Sequence, residues 1–130
     1  MKSSLILVSL VFFLRTGSAQ SWIQTSAPTN MGDSTFIASS ADGRRLIAAG
    51  SNPSYFPPVA GPVYTSDDWG NSWTSNHIPP AVWSSAVSSA DGGRMMLGTS
   101  GGYVFSTTNY GDTWSSNQLQ ATGQSVNLAL

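Results

Sequence analysis

Ser66-Asp67-Asp68-Trp69-Gly70-Asn71-Ser72-Trp73 is the stretch from which the fold of this chain can be read. It returns in altered form, 41 residues on, as Thr107-Thr108-Asn109-Tyr110-Gly111-Asp112-Thr113-Trp114. Both copies place a hydroxyl, then an Asp or Asn, then a glycine, then a hydroxyl-Trp pair at the same offsets. A short acceptor side chain two residues before glycine can bond its own backbone, and glycine can take a conformation costly to other residues. Apolar runs flank each copy, so each octet is expected to close a β-hairpin.

A second marker repeats in the same order. Ser39-Ser40-Ala41-Asp42-Gly43 recurs unchanged as Ser88-Ser89-Ala90-Asp91-Gly92, 49 residues later. One insertion, Asn52-Pro53-Ser54-Tyr55-Phe56-Pro57-Pro58-Val59-Ala60, accounts for the difference between the two offsets. The chain is therefore read as repeats of about 41 residues, within the range of a four-stranded propeller blade. In the first unit, strands are expected over 35–40, 45–49, 61–65 and 73–76. In the second they are expected over 82–89, 94–98, 103–106 and 114–117. Ser21-Trp22 matches the hydroxyl-Trp pair of the octets, which makes it the tail of a preceding unit. Residues 125–130 are expected to be the first strand of a third blade.

Composition agrees with an all-β chain. Only 8% of the 130 residues are charged, there are 13 Gly, and Glu does not occur. Trp, Ile, Val and Phe recur between the turn signals, which excludes a chain too polar to fold. The first twenty residues are of another kind. Lys2, an apolar run over 5–14 and the small residues Gly17-Ser18-Ala19 give the layout of a secretory signal peptide cut before Gln20. The run is too short for a membrane span, which needs about 20 apolar residues. The expected location is extracellular, or periplasmic in a bacterium, with no membrane attachment after cleavage. Beyond residue 19 the charges are Arg44, Arg45 and Arg94 against six Asp, so there is no basic footprint for nucleic acid. With no Cys and a single histidine, His77, no metal site, cofactor or disulfide framework is expected.

The octets resemble the Asp-box of the BNR, sialidase-like, sortilin-like and photosystem-assembly-factor-like β-propeller repeat proteins. On that resemblance the box residues are Ser66, Asp68, Gly70, Ser72 and Trp73, and Thr107, Asn109, Gly111, Thr113 and Trp114. The implied fold is a partial β-propeller of about two and a half four-stranded antiparallel blades, at about 31–77, 81–118 and 125–130. Propellers typically have four or more blades. The missing ones would come from a longer chain or from copies of this chain completing the ring. A sialidase-like activity would imply an arginine cluster, an acidic acid/base and a Tyr–Glu nucleophile pair. This chain has no Glu, and five of its six Asp fall in turns or boxes, leaving Asp33. No catalytic residue is assigned. The expected function is a secreted, non-catalytic module that binds a protein or a carbohydrate. Tyr55 and Phe56, held between prolines in the insertion, are the candidate ligand-binding residues. The alternatives are a fragment of a sialidase-like exo-glycosidase with its catalytic residues elsewhere, or a truncated product without independent function.

Overall fold

The structure is a computed structural model that describes residues 25–119 and 125–129. The expected signal segment and Ser21-Trp22 lie outside the described residues. Eight strands form two four-stranded sheets. The first runs β1 (Ser34–Ser39), β2 (Leu46–Ser51), β3 (Val63–Ser66) and β4 (Thr74–Ser75). The second runs β5 (Trp83–Ser88), β6 (Met95–Thr99), β7 (Tyr103–Thr107) and β8 (Ser115–Gln118). Each sheet is an antiparallel meander in chain order, and no helix occurs among the described residues.

The two sheets share a register as well as an order. Ser39 pairs with Leu46 across the first Asp-Gly turn, and Ser88 pairs with Met95 across the second. The identical turn sequences make identical bonds. Ser40 Oγ donates to Asp42 Oδ1 at 2.6 Å and accepts from Arg45 N at 2.9 Å. Ser89 Oγ donates to Asp91 Oδ1 at 2.6 Å and accepts from Arg94 N at 3.0 Å. Ala41 N donates to Ala90 O at 2.8 Å, so the two turns lie side by side at one edge of the stack. Because each sheet is a meander, both boxes lie at that same edge. The β2–β3 and β6–β7 connections lie at the opposite one.

Side chains alternate across a strand, and the sheets stack on that alternation. Ile47 and Ala49 of β2 meet Met95 and Leu97 of β6 in one core with Val63 and Trp83. Trp83, Ile47, Leu97 and Val63 are the largest fully buried side chains, each contributing about 1.5–3 kcal/mol by its burial. Contacts between sheets run through β1, β2 and β5, so the inner strands carry the stacking. Trp83 stands edge-on to Phe105, ring centroids 5.4 Å apart, and its Nε1 donates to Gly61 O of the first sheet at 2.9 Å.

Residues 125–129 differ from the expected strand: none of them belongs to a ladder. The segment instead lies over β5 and β6. Val126 N donates to Thr99 O, and Val126 O accepts from Ser84 Oγ and Ser85 Oγ at 2.6 and 2.7 Å. Val126 packs where a side chain at Gly98 would stand. The physical reason is pairing: a strand needs a neighbour for its backbone groups, and serine hydroxyls take that place here.

Candidate functional site

The first box is a closed hydrogen-bonded knot. Asp68 Oδ1 accepts from Ser66 Oγ at 2.9 Å and from Ser72 N at 2.8 Å, and Asp68 Oδ2 accepts from Ser72 Oγ at 2.6 Å. Ser66 Oγ accepts in turn from Gly70 N at 2.9 Å, and Trp73 Nε1 donates to Gly70 O at 3.1 Å. The second box repeats this with an amide in place of the carboxylate. Asn109 Oδ1 accepts from Thr107 Oγ1 at 2.9 Å and from Thr113 N at 3.0 Å, and its Nδ2 donates to Thr113 Oγ1 at 2.9 Å. Gly111 N donates to Thr107 Oγ1 at 3.1 Å, and Trp114 Nε1 donates to Gly111 O at 3.0 Å. Gly70 and Gly111 take φ of +82° and +95°, the region that favours glycine.

The residue before each of these glycines shares that conformation. Trp69 has φ +58° and Tyr110 φ +61°, a left-handed geometry costing roughly 1–2 kcal/mol in a residue with a side chain. Each ring is met by an arginine of an Asp-Gly turn. The Arg44 guanidinium lies 5.9 Å from the Trp69 ring and that of Arg45 3.8 Å from the Tyr110 ring. Arg44 Nε also donates to Asp67 O at 2.8 Å. Arg45 is half-buried because it crosses from the first sheet to the second box. Asn76 forms another tie between the sheets. Its Oδ1 accepts from Trp114 Nε1 at 3.0 Å, and its Nδ2 donates to Thr65 Oγ1 at 3.0 Å.

Asp42, Asp68 and Asp91 are held ionised by the groups that donate to them. The Ser72 hydroxyl, then the Ser72 N–H, lowers the pKa of Asp68 below its ordinary 3.8. The Ser40 hydroxyl and Arg44 N–H do the same for Asp42, and the Ser89 hydroxyl and Gly93 N–H for Asp91. A carboxylate so stabilised is a poor general acid near neutral pH. Among the described residues, no group of three or more His, Cys, Asp or Glu could hold a metal ion.

Tyr55 and Phe56 sit apart from the boxes, at the opposite edge. Asn52 and Val59 exchange backbone bonds of 2.9 and 3.0 Å and close the neck of the insertion. Asn52 Oδ1 also accepts from Asp33 N. Beyond that neck, Tyr55 is 59% and Phe56 101% exposed. Neither ring packs back on the sheet.

A concave feature that the sequence reading did not single out lies between the outer halves of the sheets. The inner strands are filled by Ile47, Trp83 and Leu97, whereas β4 and β8 carry only Ser, Thr, Asn and Gln. Those side chains are too small or too exposed to close the gap, and a cleft of about 890 Å³ remains. Its first-sheet wall presents Thr65, Thr74 and Asn76, and its second-sheet wall Tyr103, Phe105 and Trp114. His77 lines it too, so the lone histidine stands at a cleft with no second histidine to share a metal. The repeat arithmetic located each strand but could not measure the gap between sheets, which depends on side chains that meet only when the two sheets stack.

Fold and site together define an all-β chain of two stacked four-stranded antiparallel sheets, each closed by an Asx-glycine hairpin. No family model matches the chain, and no curated protein matches it. Among solved structures it is similar to the crystal structure of the Niastella koreensis GH74 enzyme, at 21% identity and a TM-score of 0.47. That similarity covers 70% of this chain and 12% of the enzyme, so the chain spans a small part of the length of the protein it matches.

Proposed function

We propose that this chain is a secreted, non-catalytic β-propeller repeat module that binds glycan through the Tyr55–Phe56 loop. The propeller reading is supported by two sheets of the same order and register, stacked in the same sense and densest at their inner strands. The binding reading rests on one observation. Two aromatic rings stand 59% and 101% exposed beyond a neck fixed by the Asn52–Val59 pair. Rings held in this way present apolar area with little ordering left to lose on binding. Prolines at 53, 57 and 58 restrict the loop further.

The non-catalytic reading follows from the employment of the acids. Asp42, Asp68 and Asp91 are committed to hydroxyl and N–H donors, and the second box does its work with Asn109. The test is a glycan array probed with the labelled mature chain and with a Tyr55→Ala/Phe56→Ala double variant. Binding by the first that is lost in the second supports the reading, and equal binding by both overturns it. A protein partner is the second reading, favoured by the absence of any polar atom on the fully exposed Phe56 side chain. A photo-crosslinking residue at position 56 that captures one defined protein, with a blank array, would select it.

A further inference from the structure

We propose that the cleft between the outer halves of the two sheets is a second binding site, for a neutral pyranose oligosaccharide. It is separate from the Tyr55–Phe56 loop and does not depend on that loop binding anything. The cleft combines hydroxyl and amide groups with aromatic rings. The first-sheet wall offers Thr65, Thr74 and Asn76, beside the apolar Leu46 and Ile78. The second-sheet wall offers the rings of Tyr103, Phe105 and Trp114, beside Ser115 and Ser116. A pyranose has an apolar C–H face and a rim of hydroxyls, so each wall meets the surface it can satisfy.

The rings are not equally available. Phe105 is engaged edge-on with Trp83, and Trp114 is pinned through its Nε1 to Gly111 and Asn76. Tyr103 remains 40% exposed, two residues along β7 from Phe105 and therefore on the same face. It is the stacking platform. Thr74 and Ser75, exposed on the two-residue strand β4, line the same cleft with hydroxyls able to donate or accept. The volume of about 890 Å³ lies within the range of roughly 300–1,000 Å³ usual for small-molecule sites.

Charge selects against an anionic sugar. The cationic group on the cleft, Arg45, lies over the Tyr110 ring, while Asp67 and Asp112 border the same cleft. An approaching carboxylate or sulfate meets two acids and a cation already placed on an aromatic face. His77 adds a donor and an acceptor when neutral.

The test is a titration of the isotope-labelled mature chain, followed by amide NMR. The probes are cellotetraose, mannotetraose and maltotetraose, with sialyllactose as the anionic control. At least one neutral tetraose is expected to shift the amides of Thr74, Ser75 and Tyr103 with a Kd at or below about 1 mM. Tyr103→Ala should weaken that binding about tenfold or more, and Ser116→Trp, which fills the cleft from β8, should abolish it. Tyr103→Phe should retain most of it, and Tyr55→Ala/Phe56→Ala should leave it unchanged. The proposal is overturned if none of the three neutral probes shifts cleft amides at about 10 mM. It is also overturned if Tyr103→Ala and Ser116→Trp both bind as well as the parent, or if sialyllactose binds more tightly. Shifts confined to residues around Tyr55 and Phe56 overturn it while supporting the loop reading, so the two fail separately.

Discussion

Replacing Trp83 by Ala tests whether the two sheets fold as one body. Trp83 is 2% exposed, stands edge-on to Phe105 and donates across the stack to Gly61 O. Truncating a buried Trp or Phe to Ala costs about 3–5 kcal/mol through lost transfer energy and the cavity left behind. The Gly61 carbonyl also loses its indole donor, roughly 0.5–1.5 kcal/mol, and the aromatic pair a similar amount. These terms share atoms and do not add, so about 4 kcal/mol is expected in all. A domain of this kind has about 5–15 kcal/mol in total, so the variant should be near the limit of folding. The milder Trp83→Phe keeps most of the ring and loses the bond, for about 1–2 kcal/mol. Urea unfolding followed by circular dichroism and by tryptophan fluorescence reads both variants. One coincident transition at lowered midpoint is expected for each. A Trp83→Ala loss under about 1 kcal/mol, or two separate transitions, would refute the account of a core shared between sheets.

Other predictions follow from the boxes and the seam. Gly111→Ala forces a side chain into φ +95° and against Thr65 and Asn76 at 3.3 and 3.4 Å, and should cost about 1–3 kcal/mol in a urea titration. A double-mutant cycle of Trp114→Phe and Asn76→Ala should show a coupling of about 0.5–1.5 kcal/mol, since the pair share one hydrogen bond across the seam. Lowering pH should destabilise the chain in a defined window. Asp42, Asp68 and Asp91 have folded-state pKa values below the ordinary 3.8, so their contribution is fully present above that value. It should fade as pH falls through the lower folded values, which a series of thermal melts from pH 7 to about 2 would follow.

Most of the fold is legible in the sequence because turn chemistry fixes where strands stop. The eight expected strands coincide with β1 to β8 to within two residues at either end. Ser40-Ala41-Asp42-Gly43 and the two boxes bond their own backbones, so their geometry hardly depends on the rest of the chain. Residues 125–129 carry strand-like residues but no local turn, and their outcome hangs on a neighbour. The same distinction divides the site. Tyr55 and Phe56 could be singled out because an insertion breaks the repeat. Tyr103, Asn76 and the Arg45–Tyr110 stack could not, because each acquires its role from the opposite sheet. The left-handed Trp69 and Tyr110 were hidden for another reason: the glycine beside them masks which residue the turn strains.

The central claim is that Asp68 is a hairpin fastener, and that the box depends on its bonding geometry more than on its charge. The second box already performs the exchange: Asn109 keeps both Oδ1 bonds and reverses the third, its Nδ2 donating to the threonine hydroxyl. The most direct test compares the urea midpoints of Asp68→Asn and Asp68→Ala at pH 7. Asp68→Asn, with the Ser72 hydroxyl turned from donor to acceptor, should unfold only a little below the parent midpoint, the difference being what the charge contributes, while Asp68→Ala should unfold well below both. Equal damage from both substitutions would contradict the account, because it would make the carboxylate charge, and not its geometry, the property the box requires.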